Sequence, residues 1–157
     1  MDRDSDRQEG GLTRMNQFSV IALLLLGCSV QAQSDRRILE AIGQAEGWER
    51  NQIGDAGKAR GRYQMHQPAW IDANLQLSKE SRKTYPWRSW KDPVAQDMVA
   101  AAYLRVIRDR FLKDGIIDPS IEHLALAWNV GYSAAKNLDF RPNGYAMRVG
   151  NLARLAK

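Results

Sequence analysis

Two carboxylates in one short stretch are the residues best placed to do chemistry. Glu46 closes the run Ala41-Ile42-Gly43-Gln44-Ala45-Glu46-Gly47, and Asp55 follows inside the loop Gly54-Asp55-Ala56-Gly57-Lys58-Ala59-Arg60-Gly61-Arg62-Tyr63-Gln64. Ile38, Leu39, Ala41, Ile42 and Ala45 recur at helical spacing, so a helix buries that face, carries Glu46 in its last turn and stops at Gly47. A helix C-terminus carries partial negative charge and favours cations, so a glutamate there is slightly destabilising unless it is protonated or employed. An acid held neutral is what proton donation to a leaving group requires.

Stepping outward from Glu46, the loop must position it. Gly54, Gly57 and Gly61 supply backbone freedom for close approach, and the segment closes with Tyr63-Gln64-Met65, polar and aromatic at once. The stretch reads as the floor of a cleft with an acid at its edge. Asp55 either faces that cleft or caps its own turn, since Gly-Asp-Ala-Gly is also an ordinary turn sequence.

The order of a hydrophobic helix, Gln-Ala-Glu-Gly, and then Gly-Asp-Ala-Gly-Lys-Ala-Arg-Gly-Arg-Tyr-Gln-Met resembles the catalytic stretch of the soluble lytic transglycosylase and goose-type lysozyme family. Leu124-Ala125-Leu126-Ala127-Trp128-Asn129-Val130-Gly131-Tyr132 is similar to that family's Ala-Tyr-Asn-Ala-Gly motif, and Tyr145-Ala146-Met147-Arg148-Val149 to its Tyr-Val-x-x-Val segment. Gly47 stands where the family usually has Ser, and Arg62-Tyr63 where it has Leu-Met. The resemblance spans residues 36–154 and implies a lysozyme-like, mainly helical α+β domain over residues 34–157, with at most a small irregular hairpin in 50–62. It also implies cleavage of the β-1,4 bond between N-acetylmuramic acid and N-acetylglucosamine in peptidoglycan. Glu46 would be the acid and base. Tyr145 and Asn129 would hydrogen-bond it or the substrate, and Gln64 with the Tyr63-Gln64-Met65 backbone would hold the sugar's N-acetyl group.

Within that family a lytic transglycosylase works with one acid and closes a 1,6-anhydro ring, whereas a hydrolytic lysozyme usually adds a second carboxylate, for which Asp55 is the candidate. Asn129 and Tyr145 favour the transglycosylase. A catalytically silent wall-binding module on the same fold would have no use for Glu46. Burial of Glu46 against Trp48, Tyr63 or Trp128 would raise its pKa.

The run Phe18 to Leu26 is too short to span a bilayer, which needs about 20 residues, and reads as a signal-peptide core. Residues 1–32 are therefore expected to be a leader, cleaved either before Cys28, at a lipoprotein-type Leu25-Leu26-Gly27-Cys28 box, or after Ala32. The acidic segment Asp2 to Glu9 suits no such leader, and translation from Met15 removes the difficulty. Cys28 is the only cysteine, so no intramolecular disulfide forms, and its position after the apolar run suits lipidation. Loss of residues 1–27 takes the 23 basic and 18 acidic side chains to 20 and 14, a formal charge of +6. A basic surface suits polyanionic surroundings. The leader argues against nucleic acid and for the periplasm or cell envelope, with peptidoglycan strands as partner, membrane contact only through a lipid on Cys28, and a monomeric state.

Further along, Tyr63 to Leu75 reads as helical with Trp70 and Ile71 inward, and Ser78 to Trp90 as an irregular excursion whose Trp87 and Trp90 either stack on sugar faces or, the preferred reading, cap the core. Asp92-Pro93 starts a long buried helix whose inward set includes Val94 and Phe111, and which carries no evident chemistry. Asp118-Pro119 starts a helix through Val130, at whose buried end Asn129 needs a partner, either the Glu46 carboxyl or a backbone cap. Arg141-Pro142-Asn143-Gly144 is a turn, and Tyr145, Val149, Leu152 and Leu155 mark a closing helix. His66 and His123 are isolated in sequence and read as surface or hydrogen-bonded residues; no cofactor or metal is implied.

Overall fold

The first apolar stripe folds as expected: helix α1 runs over 33–45 and buries Ile38, Leu39, Ala41 and Ile42 in the core. The Glu46 amide still bonds to the Ile42 carbonyl at 2.9 Å, closing the last turn. At Gly47 the chain turns away with φ +112°, a conformation open to glycine and costly to most other residues. The structure, a computed structural model, describes residue 31 and residues 33–47 and 49–156. The leader, its cleavage sites, Cys28 and Trp48 lie outside the described residues. Residues 33–157 form a single unit.

Beyond Gly47 a small antiparallel sheet of three two-residue strands forms, β1 (Ile53–Gly54), β2 (Ala59–Arg60) and β3 (Met65–His66), in the order β1-β2-β3. Ile53 faces Arg60 and Gly54 faces Ala59 in one pair; Ala59 faces His66 and Arg60 faces Met65 in the other. A 3₁₀ turn, Asp55–Gly57, joins β1 to β2. The third strand extends the sheet past the 50–62 hairpin expected from sequence, because residues 61–64 form a turn rather than the start of a helix.

Helix α2 accordingly spans Gln67–Lys79, with Pro68 in its first turn. Trp70, Ala73 and Leu77 are its buried face, and Ile71, expected inward, is 52% exposed one position off that stripe. The chain from Glu80 to Pro86 is irregular. It is pinned where the Trp70 indole N–H donates to the Tyr85 carbonyl (2.6 Å) and the Tyr85 amide donates to Asn74 Oδ1 (2.6 Å). A 3₁₀ segment, Trp87–Lys91, sets Trp87 edge-on against Trp70 with 5.5 Å between ring centres, while Arg60 lies over Trp90. Both tryptophans thus pack against the core.

Helix α3 (Pro93–Lys113) is the central strut, and its start is as read: Asp92 Oδ1 accepts from the Val94 amide at 2.9 Å and Pro93 takes the first position. Val94, expected inward, is exposed in this first turn; Ala95, Val99, Leu104, Ile107 and Phe111 carry the buried face. Helix α4 (Ile121–Val130) begins later than Asp118-Pro119 suggested, because Ser120 is the residue that caps it, accepting from the His123 amide. Gly131 ends α4 as read. Helix α5 (Tyr132–Asn137), not anticipated, follows at once, with Tyr132 held against Phe111 and Asp114. Helix α6 (Gly144–Leu155) closes the unit, capped by Asn143 Oδ1 on the Ala146 amide at 2.8 Å. α2 packs along α3, and α4 against α6 and α5. The fold is mainly helical with one small sheet. No helix among the described residues is long and apolar enough to cross a membrane.

Among the described residues Gln96 of α3 is the polar side chain, apart from tyrosines, that is buried in this core, at 2% exposed. Its Nε2 donates to the carbonyls of Arg50 and Trp90 at 2.7 Å each, and its Oε1 accepts from the Arg62 amide at 2.9 Å. It thereby ties both ends of the Arg50–Arg62 loop and the 3₁₀ segment to the strut. Gln96→Leu keeps the volume but strands two carbonyls and an amide, each costing about 1–3 kcal/mol if it finds no water. The expected loss is about 3 kcal/mol, read as a lowered urea midpoint with an unchanged slope.

Candidate active site

Glu46 leaves the end of α1 and meets a cleft of about 470 Å³ whose lining also includes Asp55, Gln64, Met65, His66 and Tyr103, with Trp128 and Asn129 from the end of α4. One wall is therefore the small sheet and the other the α4 terminus, with α3 contributing Tyr103 between them. The side chain of Glu46 is half-buried, and the hydroxyl of Tyr145, 99 residues further on, donates to its Oε1 at 2.7 Å. Burial drives the Glu46 carboxyl above its ordinary value of 4.5; the Tyr145 hydrogen bond, the charge of His66 and the charge of Arg148 oppose that rise. The Tyr145 hydroxyl is itself pushed up, by burial first and by Glu46 second, so it stays a donor.

Because the folded protein holds this proton more tightly than the unfolded chain does, the stability that Glu46 contributes is fully present below pH 4.5 and is lost as pH rises through the raised folded value. The ionised form is the costly one.

The sheet wall is built by close backbone approach. Gln64 sits at φ +44°, and its Nε2 folds back to donate to the carbonyls of Gly61 (2.8 Å) and Gln52 (3.3 Å). Its Oε1 lies directly over Gly54, where a Cβ would displace it, so any other residue there would have to push the Gln64 amide off its two carbonyls. Asp55 and Ala56 also adopt positive φ, at 46° and 49°. Three non-glycine residues in the left-handed region, two in the β1–β2 connection and one in the β2–β3 turn, concentrate strain of order 1–3 kcal/mol each in this small sheet, of the kind that gathers at functional sites.

Asp55 does face the cleft. Its Oδ2 lies 3.4 Å from Nε2 of His66, with both side chains about half exposed, and the 3₁₀ turn that it opens has no side-chain cap. His66 is therefore a cleft residue, although nothing in the sequence around it marks it as one.

Two residues expected at the site are not held on Glu46. Asn129 lines the cleft but is exposed, and its Oδ1 accepts from Asn143 Nδ2 at 3.1 Å, so of the two partners named for it, the Glu46 carboxyl and a backbone cap, it takes neither. The amide reaches from the end of α4 to the cap of α6, the helix that bears Tyr145. The Tyr63 side chain is absent from the cleft lining and is buried: its hydroxyl donates to Asp97 Oδ1 at 2.9 Å, and Asp97 also pairs with Arg50. Only the backbone of Tyr63 remains near the site, where its carbonyl accepts from the Trp128 indole at 3.4 Å. Trp128 and the buried Met65 form the apolar side of the cleft, and Tyr103 packs edge-to-face with Trp128 at 5.2 Å between ring centres. Sequence reading missed His66, Tyr103, Arg148 and the Asn143 tie. Only Asn143 left a signal, as a helix-capping residue in Pro-Asn-Gly.

Among the described residues no three His, Cys, Asp or Glu side chains converge as metal ligands. Comparison with protein-family models, with curated proteins and with solved structures finds no match to the chain. The site's chemistry is therefore carried by its geometry, a proton-holding carboxyl over a strained hairpin.

Tyr145→Phe removes the only hydrogen bond that opposes the effect of burial on Glu46. The Glu46 carboxyl should then titrate at higher pH than in the parent protein, followed by carbon-13 NMR of the side-chain carboxyl. An unchanged midpoint would mean that the hydroxyl does not serve the carboxylate.

Proposed function

We propose that the chain is a lysozyme-like lytic transglycosylase that cleaves peptidoglycan between N-acetylmuramic acid and N-acetylglucosamine, with Glu46 as its single acid and base. The observation that carries this reading is the half-buried Glu46, raised in pKa by burial, hydrogen-bonded by Tyr145 and opening into a cleft with apolar and aromatic lining. A carboxyl so placed keeps its proton at pH values where an exposed one has lost it, which is what protonating a glycosidic oxygen demands.

In the first step the Glu46 proton passes to the glycosidic oxygen, the bond from that oxygen to C1 breaks, and the oxygen of the substrate's own N-acetyl group closes on C1. In the second the Glu46 carboxylate takes the proton of the 6-hydroxyl, whose oxygen bonds to C1 and displaces the N-acetyl oxygen. The 1,6-anhydro sugar forms, no water is consumed, and Glu46 is protonated again. The Tyr145 hydroxyl, donating to Oε1, stabilises the carboxylate between the two steps. Trp128, backed by the buried Met65, offers apolar surface to a sugar face. Gln64, its Nε2 committed to its own turn, lines the cleft on the side where the N-acetyl group would sit.

Hydrolysis is the second reading, and the presence of Asp55 in the same cleft is what favours it. There Asp55 would serve as nucleophile or as base for a water. Under either reading the protein acts in the periplasm or cell envelope, where a net positive charge of +5 suits an anionic wall, with lipid on Cys28 as the proposed anchor.

Glu46→Gln keeps the shape and cannot release a proton. It should lower solubilisation of purified peptidoglycan by about 10²–10⁴-fold, the usual worth of a general acid. A rate equal to that of the parent protein would end the assignment. Mass spectrometry of the muropeptides separates the two chemistries: anhydro products, lighter by one water, are expected. Reducing-end products alone, abolished by Asp55→Asn, would make the enzyme a hydrolase. The raised carboxyl also places Glu46 on the alkaline side of the activity profile, with rate falling as pH climbs through its titration.

A further inference from the structure

His66 lines the cleft, and neither the acid–base scheme nor the sequence motifs use it. It ends β3, is exposed, and presents its Nε2 to Asp55 at 3.4 Å on the wall that Glu46 faces. The pairing runs from the 3₁₀ turn after β1 to the last residue of β3, so it links the first and third strands at one end of the small sheet, where Ala59 of β2 lies between them.

We infer that the Asp55–His66 pair is a charge-positioning unit for Glu46, in which Asp55 holds the imidazole at the cleft and the imidazolium steadies the Glu46 carboxylate. The inference rests on Glu46 as acid and base, and it gives Asp55 a role other than that of a second catalytic carboxylate.

The groups that face Glu46 are few. From α6 come the Tyr145 hydroxyl and the Arg148 guanidinium, and from β3 comes His66; all three favour the ionised carboxyl against burial. From α3 comes Tyr103, whose hydroxyl is raised by burial and bonded towards Arg110. α4 contributes the uncharged Trp128 and Asn129, and Asp55 is turned to His66. In its charged form the His66 imidazole favours the carboxylate that the first proton transfer leaves behind. His66 is thus a positioning residue acting through Glu46.

The charge at position 66 is the variable to test. In full-length protein, the Glu46 carboxyl is titrated by carbon-13 NMR in the parent, His66→Ala, His66→Lys and Asp55→Asn forms, with the pH profile of peptidoglycan release measured beside it. His66→Ala should shift the Glu46 midpoint and the alkaline limb of activity to higher pH and lower kcat. His66→Lys, a cation throughout the titration, should shift both to lower pH. Asp55→Asn should shift them in the same direction as His66→Ala, and should add nothing further in the His66→Ala background. Midpoints that do not move, or that move the same way for Ala and Lys, would overturn the inference. So would an Asp55→Asn protein inactive at every pH with its Glu46 midpoint intact. The NMR midpoints need no turnover. Opposite shifts in a protein that leaves peptidoglycan untouched would uphold the charge coupling and remove the enzymatic reading instead.

Discussion

A single buried amide organises the half of the molecule that carries the site. Gln96 stands on the central helix with its hydrogen bonds directed outward, to the backbone of Arg50, of Arg62 and of Trp90. A loop with so little regular structure has few ways to satisfy its peptide groups once it is packed against a core, and Gln96 answers three of them at once. The Arg50–Asp97–Tyr63 contacts one position further along the helix fasten the same loop a second time. With both ends of residues 50–63 held on α3, the strands between them can be short, and the positive-φ residues can persist because the surroundings over-determine them.

That rigidity is what allows an unfavourable carboxylate. Glu46 lies at the negative end of a helix dipole and is partly desolvated, two effects of the same sign, each disfavouring ionisation. The compensation comes from elsewhere in the chain: a phenol from α6, a guanidinium beside it on the same helix, and an imidazole from β3. Burial still prevails, and the net result is a carboxyl that holds its proton yet has partners ready for the charge it acquires on releasing it. An apolar pocket alone would hold the proton but stabilise nothing afterwards. A wholly polar one would stabilise the anion but lose the proton too early.

The tie between Asn129 and Asn143 shows how the tertiary fold reuses residues that the primary structure suggests for other work. At the end of a helix, Asn129 reaches not the acid but the cap of the helix that bears Tyr145. Its influence on Glu46 therefore runs through the placement of a neighbour. Tyr63 is similar: aromatic and adjacent to Gln64, it turns inward to Asp97 and strengthens the loop rather than meeting a ligand.

Local patterns in the amino-acid sequence were sufficient for much of this. The apolar stripe ending in Glu46-Gly47 specified a helix with an acid at its terminus, Asp92-Pro93 specified the start of the strut, and Gly131 the end of α4. These are effects of nearest neighbours along the chain, of side-chain periodicity and of caps that bond within one turn, so they are written in consecutive residues. What required the tertiary structure were contacts between residues far apart in the chain. The Tyr145 hydroxyl finds Glu46 across 99 residues, Gln96 finds a loop more than 30 residues earlier, and Asp55 finds His66 because the three short strands bring the turn after β1 beside the end of β3. No periodicity encodes such pairs. They exist because packing brings distant segments together, and the polar groups that it covers must find partners there or in the solvent.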